Sequence, residues 1–543
     1  MIIKGLLLKF LSTNKIVYLY LFLSCVSMFL QVIVSTLIYR KFLEKNIKEK
    51  FNNLIKQICI LWISMFVIYI IRSKLECSIS PNINTFVRRE LIINYFETNE
   101  VNFNDKEVEK DHIRMIDVGY FYQKLFIWMC ESIIPISVIM IIMNVYFFIK
   151  SPAVGVINFI SNLINIAIIL GYYPKLKDTI SKRRSDYNNF VINMAESVNN
   201  LINIYTSGGL DKTVDKNDSL MGIYKSSLKK EVSVICNFIN TLRINVYTST
   251  LLSIIALYKT TKRIEDFFEV FAIFILYIPL FQNVMSEIPK HFVYLVDMLL
   301  ILKNFVNNKK LSVDENGSLT TLNYPYKYNN NNLEKCKGRI TIDNITFSYD
   351  NAKYIFRDFS LDIKTGQRIG IMAESGRGKT TLMKLLLNFI KPQNGKILLD
   401  GVDIKEINHR SLRERINYVN QKTLLLNDTV MDNFKYGNSK TDKQIKDFLK
   451  KYNLDKMFTD LNLMVDVNGK NISMGMQKII YLVRNVLNDK CCVYIFDEPL
   501  TSLDENTRDS VIKMIDENTK GKTVIVVTHD KKIVKILDKI INL

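Results

Sequence analysis

Four histidines and eight cysteines in 543 residues leave little material for a metal centre. The chain has no Cys-x-x-Cys pair and no histidines grouped at ligand spacing, which excludes the common zinc frameworks. Its cysteines are scattered, with Cys491 and Cys492 adjacent in an apolar run, so reduced thiols and a cytosol-facing domain are expected. Acidic residues are also in deficit, 53 against 73 lysines and arginines, for a formal net charge of +20. Such an excess can suit nucleic acid or an anionic membrane. Here it comes with abundant Lys, Ile and Asn, the blend of an AT-rich coding bias, and nucleic acid is not an expected partner. Nor does a small-residue cleavage site follow the first apolar run, which is too long for a signal-peptide core.

Apolar sequence is what the chain has in quantity, at 48% of residues. A mean hydropathy just above zero is unusual for a purely soluble protein. From Ile16 to Tyr39 no charge interrupts the run, enough to cross a bilayer as a helix. Further runs bring the expected spans to six, at about 16–39, 54–71, 125–149, 152–173, 236–258 and 268–286. The second carries Lys56 near its end, where the side chain can snorkel. Loops between spans alternate short and long, and the long stretches after Arg72 and Pro174 read as charged helices rather than loops. All-α spans with long cytosolic extensions are therefore predicted for residues 1–306. The positive-inside rule is indecisive, because Arg40 to Lys56 is as basic as the opposite loops. Glu131, in the third span, and Arg243, in the fifth, are candidate polar features, each with the plainer reading of a group near water at a helix end. Pro135 and Pro279 are expected to bend their helices.

Residues 307–338 are Asn-rich and aperiodic, as a tether is. From 339 to 543 the pattern turns α/β. Within it, Arg368 to Phe389 reads strand, turn, then a helix beginning at Lys379-Thr380. That order makes a loop whose backbone N–H groups and helix N-terminus face an anion. Ala373, Glu374, Ser375, Gly376, Arg377, Gly378, Lys379, Thr380 and Thr381 are the expected phosphate-binding residues. Lys379 would reach the outer phosphates and the Thr380 hydroxyl would ligate Mg²⁺. The first glycine of such loops is here Ala373.

Other motifs follow in register. Tyr349 lies upstream, Gln421 follows an apolar YVN, and CCVYIFDEP ends an apolar strand at Asp497 and Glu498. Thr501 to Asp504 reads TSLD, and VVTHD carries His529. On these residues the segment from Arg339 onward resembles the nucleotide-binding domain of ABC transporters, and with the six spans the chain resembles a half-size ABC exporter. The resemblance implies an α/β P-loop ATPase that uses ATP and Mg²⁺. Tyr349 would stack on adenine, Asp497 and Gln421 would join Thr380 at Mg²⁺, and Glu498 would act as general base. His529 would touch the γ-phosphate, and Asp504 would belong to the loop exchanged across a dimer. Strand ends place Glu498 and His529 at one sheet edge, where in-line attack by water on a phosphoryl group needs them.

The family's Leu-Ser-Gly-Gly-Gln signature is here Ile472-Ser473-Met474-Gly475-Met476. Ser473 and Gly475 would act in trans on the nucleotide of a second chain, with Gln477 a stand-in for the missing glutamine and Arg484 matching an arginine of the helix beyond. The implied partners are a second half-transporter, the lipid bilayer and a small or amphipathic substrate, with the ATPase domain on the cytosolic or matrix side. The tips of the long helical loops, near Phe103 and around Tyr205 to Lys212, would meet nucleotide-binding domains. The alternative is a catalytically impaired subunit that binds ATP structurally beside an active partner.

Overall fold

The computed structural model describes residues 2–42, 47–99, 108–261, 264–307, 333, 335–349, 354–372, 377–421, 425–466 and 469–543. Two compact units result, one helical within residues 1–321 and one α/β within 322–543.

The helical unit runs α1 (Ile2–Thr13), α2 (Ile16–Phe42), α3 (Ile47–Asn99), α4 (Val108–Trp128), a π-helical turn (Met129–Ile133), α5 (Ile134–Lys150), α6 (Pro152–Asn199), α7 (Leu201–Thr206), α8 (Leu210–Thr260) and α9 (Ile264–Asn307). The six predicted segments fall in α2, α3, α4 through α5, α6, α8 and α9, each continuing beyond the apolar run. Among the described residues, three helices are long and apolar enough to cross a membrane: Ile55–Thr98, Arg114–Lys150 and Pro152–Asn199. The pair Gly5–Thr13 and Ile16–Leu30 passes together but is bent by 98°. On α3, Ile60, Trp62, Ile63 and Phe66 are all exposed, an outward apolar surface that water would penalise and hydrocarbon would not.

Two apolar cores fill this unit. Phe10, Tyr20, Ile83, Leu91, Val118 and Phe305 join α1 to α4 with the end of α9. Phe147, Leu176, Ile180, Phe238 and Leu242 join α5, α6 and α8. Polar pairs register the long helices: the Asn245 amide donates to the Ser161 carbonyl at 3.0 Å and to Asn165 Oδ1 at 2.9 Å, fastening α8 to α6. Glu131 sits in the π-helical turn, where the Ile134 N–H bonds back to the Met129 carbonyl, five residues earlier. Tyr20 donates to its carboxylate at 3.0 Å and Arg72 lies 3.5 Å away, so Glu131 is paired inside the unit. Pro135 directly follows the π-helical turn within the continuous helix Arg114–Lys150, where its missing N–H interrupts the helical hydrogen-bond ladder. Arg243 is exposed. Phe103 lies outside the described residues, whereas Tyr205 to Lys212 form the end of α7, a turn through Gly208 at φ 64° and the start of α8.

The second unit runs β1 (Ile340–Phe347), β2 (Phe356–Ile363), β3 (Arg368–Met372), α10 (Lys379–Leu386), β4 (Asn394–Leu399), β5 (Val402–Asp403), α11 (His409–Arg415), β6 (Ile416–Val419), α12 (Val430–Lys435), α13 (Asp442–Lys451), α14 (Met474–Val486), β7 (Val493–Asp497), α15 (Glu505–Asn518), β8 (Thr523–Val527) and β9 (Lys539–Asn542). An antiparallel sheet has the order β2-β1-β4-β5, and a parallel one β6-β7-β8-β3-β9. Every residue of β7 and β8 is buried, as continuous apolar runs require when helices cover both faces of a parallel sheet. The Thr441/Gln444 capping box starts α13, whose Ile445 and Leu449 share one core with Phe496 of β7 and Val526 of β8.

One expectation is corrected. Cys336 and Cys492 form a disulfide across 156 residues of sequence, so not all the thiols are reduced. No spacing rule announces this pair. Gly338, with φ 90°, packs against the Cys492 carbonyl, and its own carbonyl accepts from Thr523 Oγ1 at 2.7 Å, so sheet pairing delivers Cys336 to the start of β7.

Candidate nucleotide site

The site begins where β3 ends. Of the predicted phosphate-loop residues, Ala373, Glu374, Ser375 and Gly376 lie outside the described residues. Arg377 is exposed, and Gly378 caps α10 with φ 92°. A Cβ at Gly378 would stand 2.5 Å from Ile355 Cγ2 and 3.1 Å from the Phe356 ring, so only glycine fits this left-handed turn. Such a turn directs the first N–H groups of α10 outward, an anion-binding geometry. A long, positively charged side chain, Lys379, begins the helix there.

A cavity of about 540 Å³ opens at this point, lined by Tyr349, Ile355, Gly378, Lys379, Thr380, Thr381, Gln421, Asp497, Glu498 and His529. Stretches up to 180 residues apart in sequence thus meet at the carboxyl ends of the parallel strands, where α/β sheets bind ligands. Lys379 Nζ is 3.5 Å from His529 Nε2. The Tyr349 hydroxyl is 3.3 Å from Thr381 Oγ1, and its ring stands edge-on to Phe347 with an exposed face. Asp497 is buried and accepts from the Tyr418 hydroxyl at 3.2 Å. Glu498 lies just past β7 at φ 48°, its N–H bonded to the Val527 carbonyl at 2.9 Å and its carboxylate 3.8 Å from His529 Nε2. A non-glycine residue at positive φ carries strain, and here that strain turns the carboxylate toward the cavity rather than into the sheet.

Burial pushes both carboxyls upward. For Asp497 the Tyr418 hydrogen bond, Lys478 and Lys379 pull the other way; for Glu498 His529 and Lys379 do so, against the charge of Asp497. Three oxygen-bearing side chains that line the cavity, Thr380, Gln421 and Asp497, are hard donors of the kind that suits Mg²⁺.

Ser473, Gly475 and Asp504 are not among the residues lining this cavity. Ser473 caps α14 by accepting from the Met476 N–H at 3.2 Å. A Cβ on Gly475 would stand 3.3 Å from the Ser502 carbonyl, so the signature turn rests on the loop that follows Glu498. Asp504 caps α15, accepting from the N–H and the hydroxyl of Thr507. Met474 is 69% exposed. Gln477 donates its side-chain amide to the carbonyls of Gly469 and Ile472 at 2.8 and 3.2 Å. Arg484 lies over the rings of Tyr481 and Tyr436 at 4.4 and 5.5 Å, holding the helix to the α12 side of the domain.

Sequence reasoning missed Tyr418 and Lys478. Tyr418 gains its role from the parallel β6–β7 pairing, which sets it beside Ile495, two residues before Asp497. Lys478 carried a visible signal: it shares a helical face with Leu482, which is fully buried.

Strand, glycine turn and helix N-terminus, with converging lysine, histidine and carboxylates, define a P-loop nucleotide-binding domain. Residues 356–501 match the ABC transporter family. The mitochondrial iron-sulfur clusters transporter ATM1 of Debaryomyces hansenii is 34% identical over 213 residues, covering 38% of this chain and 30% of that protein. An ATP-dependent lipid A-core flippase of Francisella tularensis is 33% identical over 215 residues, covering 38% and 35%. The match thus spans about a third of those relatives' own length. A solved bacterial Atm1-family ABC exporter with ATP bound superposes with a TM-score of 0.80 at 16% identity, over 96% of this chain and 93% of that one. The C-terminal domain is thus similar to ABC transporters over residues 356–501, and the chain shares the fold of that bacterial exporter along 96% of its length.

Proposed function

We propose that the chain is an ATP-hydrolysing half-transporter that pairs with a second copy or a related chain and exports a small or amphipathic substrate across a membrane. The observation that carries this reading is the single cavity shared by Lys379, Thr380, Gln421, Asp497, Glu498 and His529. Six spans, at about 16–39, 54–71, 125–149, 152–173, 236–258 and 268–286, belong to this reading, with the ATPase domain in the cytosol or matrix; the exposed Ile60, Trp62, Ile63 and Phe66 of α3 support the second.

Hydrolysis needs an oriented water, a proton acceptor and positive charge around the transferred phosphoryl group. In this reading Glu498 accepts the proton of the attacking water, and its strained backbone holds the carboxylate in place. Lys379 and His529 face the outer phosphates from two sides, and Tyr349 offers its exposed ring to the base. Thr380, Gln421 and Asp497 would hold Mg²⁺, which when bound neutralises charge on the phosphoryl oxygens. Ser473 and Gly475 complete the site on the opposite chain, so one chain alone has half of each catalytic unit. The two relatives named above are called an iron–sulfur clusters transporter and a lipid A-core flippase, and neither name assigns the substrate here.

Phosphate release by the full chain in lipid nanodiscs tests the reading. Glu498→Gln should retain ATP binding while losing about 100-fold or more in turnover. Wild-type turnover no faster than the variant's would instead favour the impaired-subunit reading, for which the exposed Met474 at the start of α14 is the supporting observation. Release of the chain by alkaline carbonate would refute the membrane assignment.

A further inference from the structure

Lys478 lies in the second turn of α14 and is only 2% exposed. Its Nζ finds no hydrogen-bond partner among the described residues. A buried, unpaired ammonium ion is expensive, because burial disfavours the charged form and nothing at contact distance restores the lost hydration. The charges that offset this cost are those of Asp497 and Glu498, which act on Lys478 without a direct ion pair. The packing explains the proximity. Ile479, Ile480, Leu482 and Val483 of α14 share one core with Phe496 of β7 and with Leu500 and Leu503 just beyond it. Gly475, three residues earlier, rests on the Ser502 carbonyl of the same segment. From the cavity side Lys379 faces the same carboxylates, Tyr418 donates to Asp497 and His529 flanks Glu498.

We propose that Lys478 is a positioning residue for the nucleotide site: an internal counter-cation behind Asp497 and Glu498 that competes with the incoming divalent cation for their charge. The inference rests on the ATPase reading above and deepens it. With the site empty of metal, the lysine balances two neighbouring carboxylates that would otherwise repel each other. When a divalent cation binds at Asp497, the same lysine opposes it, so the metal–nucleotide complex is held less tightly and leaves more readily after hydrolysis. Because Lys478 belongs to the helix that begins at Ser473, this opposition also ties the carboxylates of one ATP site to the helix that serves the other.

The test is the Mg²⁺ dependence of mant-ATP binding by the full chain in nanodiscs, a readout that needs no turnover. Lys478→Met and Lys478→Gln should both lower the Mg²⁺ concentration at half-saturation by roughly 3- to 30-fold, the range expected for a charge several ångströms from a divalent ion. Lys478→Arg, which keeps the charge, should stay near wild type. Unchanged half-saturation in both neutral variants would overturn the proposal, as would an equal shift in the arginine variant, which would mark a packing effect. Metal-dependent binding without wild-type hydrolysis would sink the hydrolysis reading alone. Binding of mant-ATP with no response to Mg²⁺ would sink both.

Discussion

The Glu498 carboxylate stands 3.8 Å from Nε2 of His529, and the two residues extend from the ends of neighbouring parallel strands, β7 and β8. The same imidazole nitrogen is 3.5 Å from Lys379 Nζ. His529 is therefore the hinge of the cluster, touching the group that would take a proton and the group that would hold the phosphate. Its replacement by alanine should lower turnover by about 10- to 100-fold with little change in ATP affinity, as for a group acting mainly in the transition state. Steady-state phosphate release against ATP concentration separates the two parameters, and a rise in KM with unchanged kcat would assign His529 to binding instead.

Gly378 is the least replaceable residue of the described phosphate loop. Alanine there would meet Ile355 at 2.5 Å and must also adopt φ 92°, a backbone cost of about 1–3 kcal/mol. Gly378→Ala should weaken mant-ATP binding at least about tenfold, taking that cost as lost site geometry. Adding Ile355→Ala removes the clash but not the backbone strain, so it should restore only part of the affinity. Full restoration would show that the clash alone matters.

In the helical unit, Asp297 accepts from Arg183 at 2.8 Å and from Arg184 at 2.9 Å, while Arg183 also donates to Glu231 at 2.8 Å. These groups are largely buried and tie α6 to α8 and α9. Asp297→Asn leaves Arg183 with Glu231 alone and Arg184 with the more distant Asp117, 3.8 Å away, and should cost about 1–3 kcal/mol. Thermal unfolding of the detergent-solubilised chain checks this, and a midpoint equal to wild type would show that the network contributes nothing net.

Lys478 also predicts a pH dependence of stability. Burial pulls its pKa from 10.5 down to about 8. Below that value the lysine is charged in both folded and unfolded chains, and the burial cost is present in full. Between about pH 8 and 10.5 the unfolded chain binds the extra proton, so this group's contribution to stability rises with pH. The cost relieved is at most roughly 3 kcal/mol. Lys478→Met should therefore be more stable than wild type at pH 7, with a flatter melting-midpoint profile between pH 8 and 10. Parallel profiles would contradict the assignment.

The Cys336–Cys492 bond closes a long loop, and its loss should destabilise the domain by about 2–5 kcal/mol. Intact-mass measurement after alkylation, with and without reductant, detects the bond, and Cys336→Ser should melt as the reduced wild type does. An alkylated Cys336 in protein never exposed to reductant would show that the bond is absent.

Local pattern carried most of the nucleotide domain. The short, β-branched and aromatic apolar run through Phe496 reads as a buried strand, and a strand that ends in Asp497-Glu498 presents both carboxylates at its rim. Gly378 before Lys379-Thr380 likewise announces a turn into a helix, because backbone torsions depend on the residue itself and its immediate neighbours. The long apolar runs marked α2, α3 and α6 for the same local reason. Three features lay beyond such reading. Tyr418 reaches Asp497 only because β6 and β7 pair in parallel at one register, and Cys336 reaches Cys492 only through the packing of Gly338 on the sheet. Lys478 shares a helical face with Leu482 in the sequence pattern, yet only the packing of that face on Phe496 sets it behind the carboxylates. Each depends on contacts between segments far apart in sequence, set by how whole faces bury together rather than by any residue's own preference. The sequence alone determined which residues could handle a phosphate; tertiary packing decided which side chains stand behind them and restrain their charge.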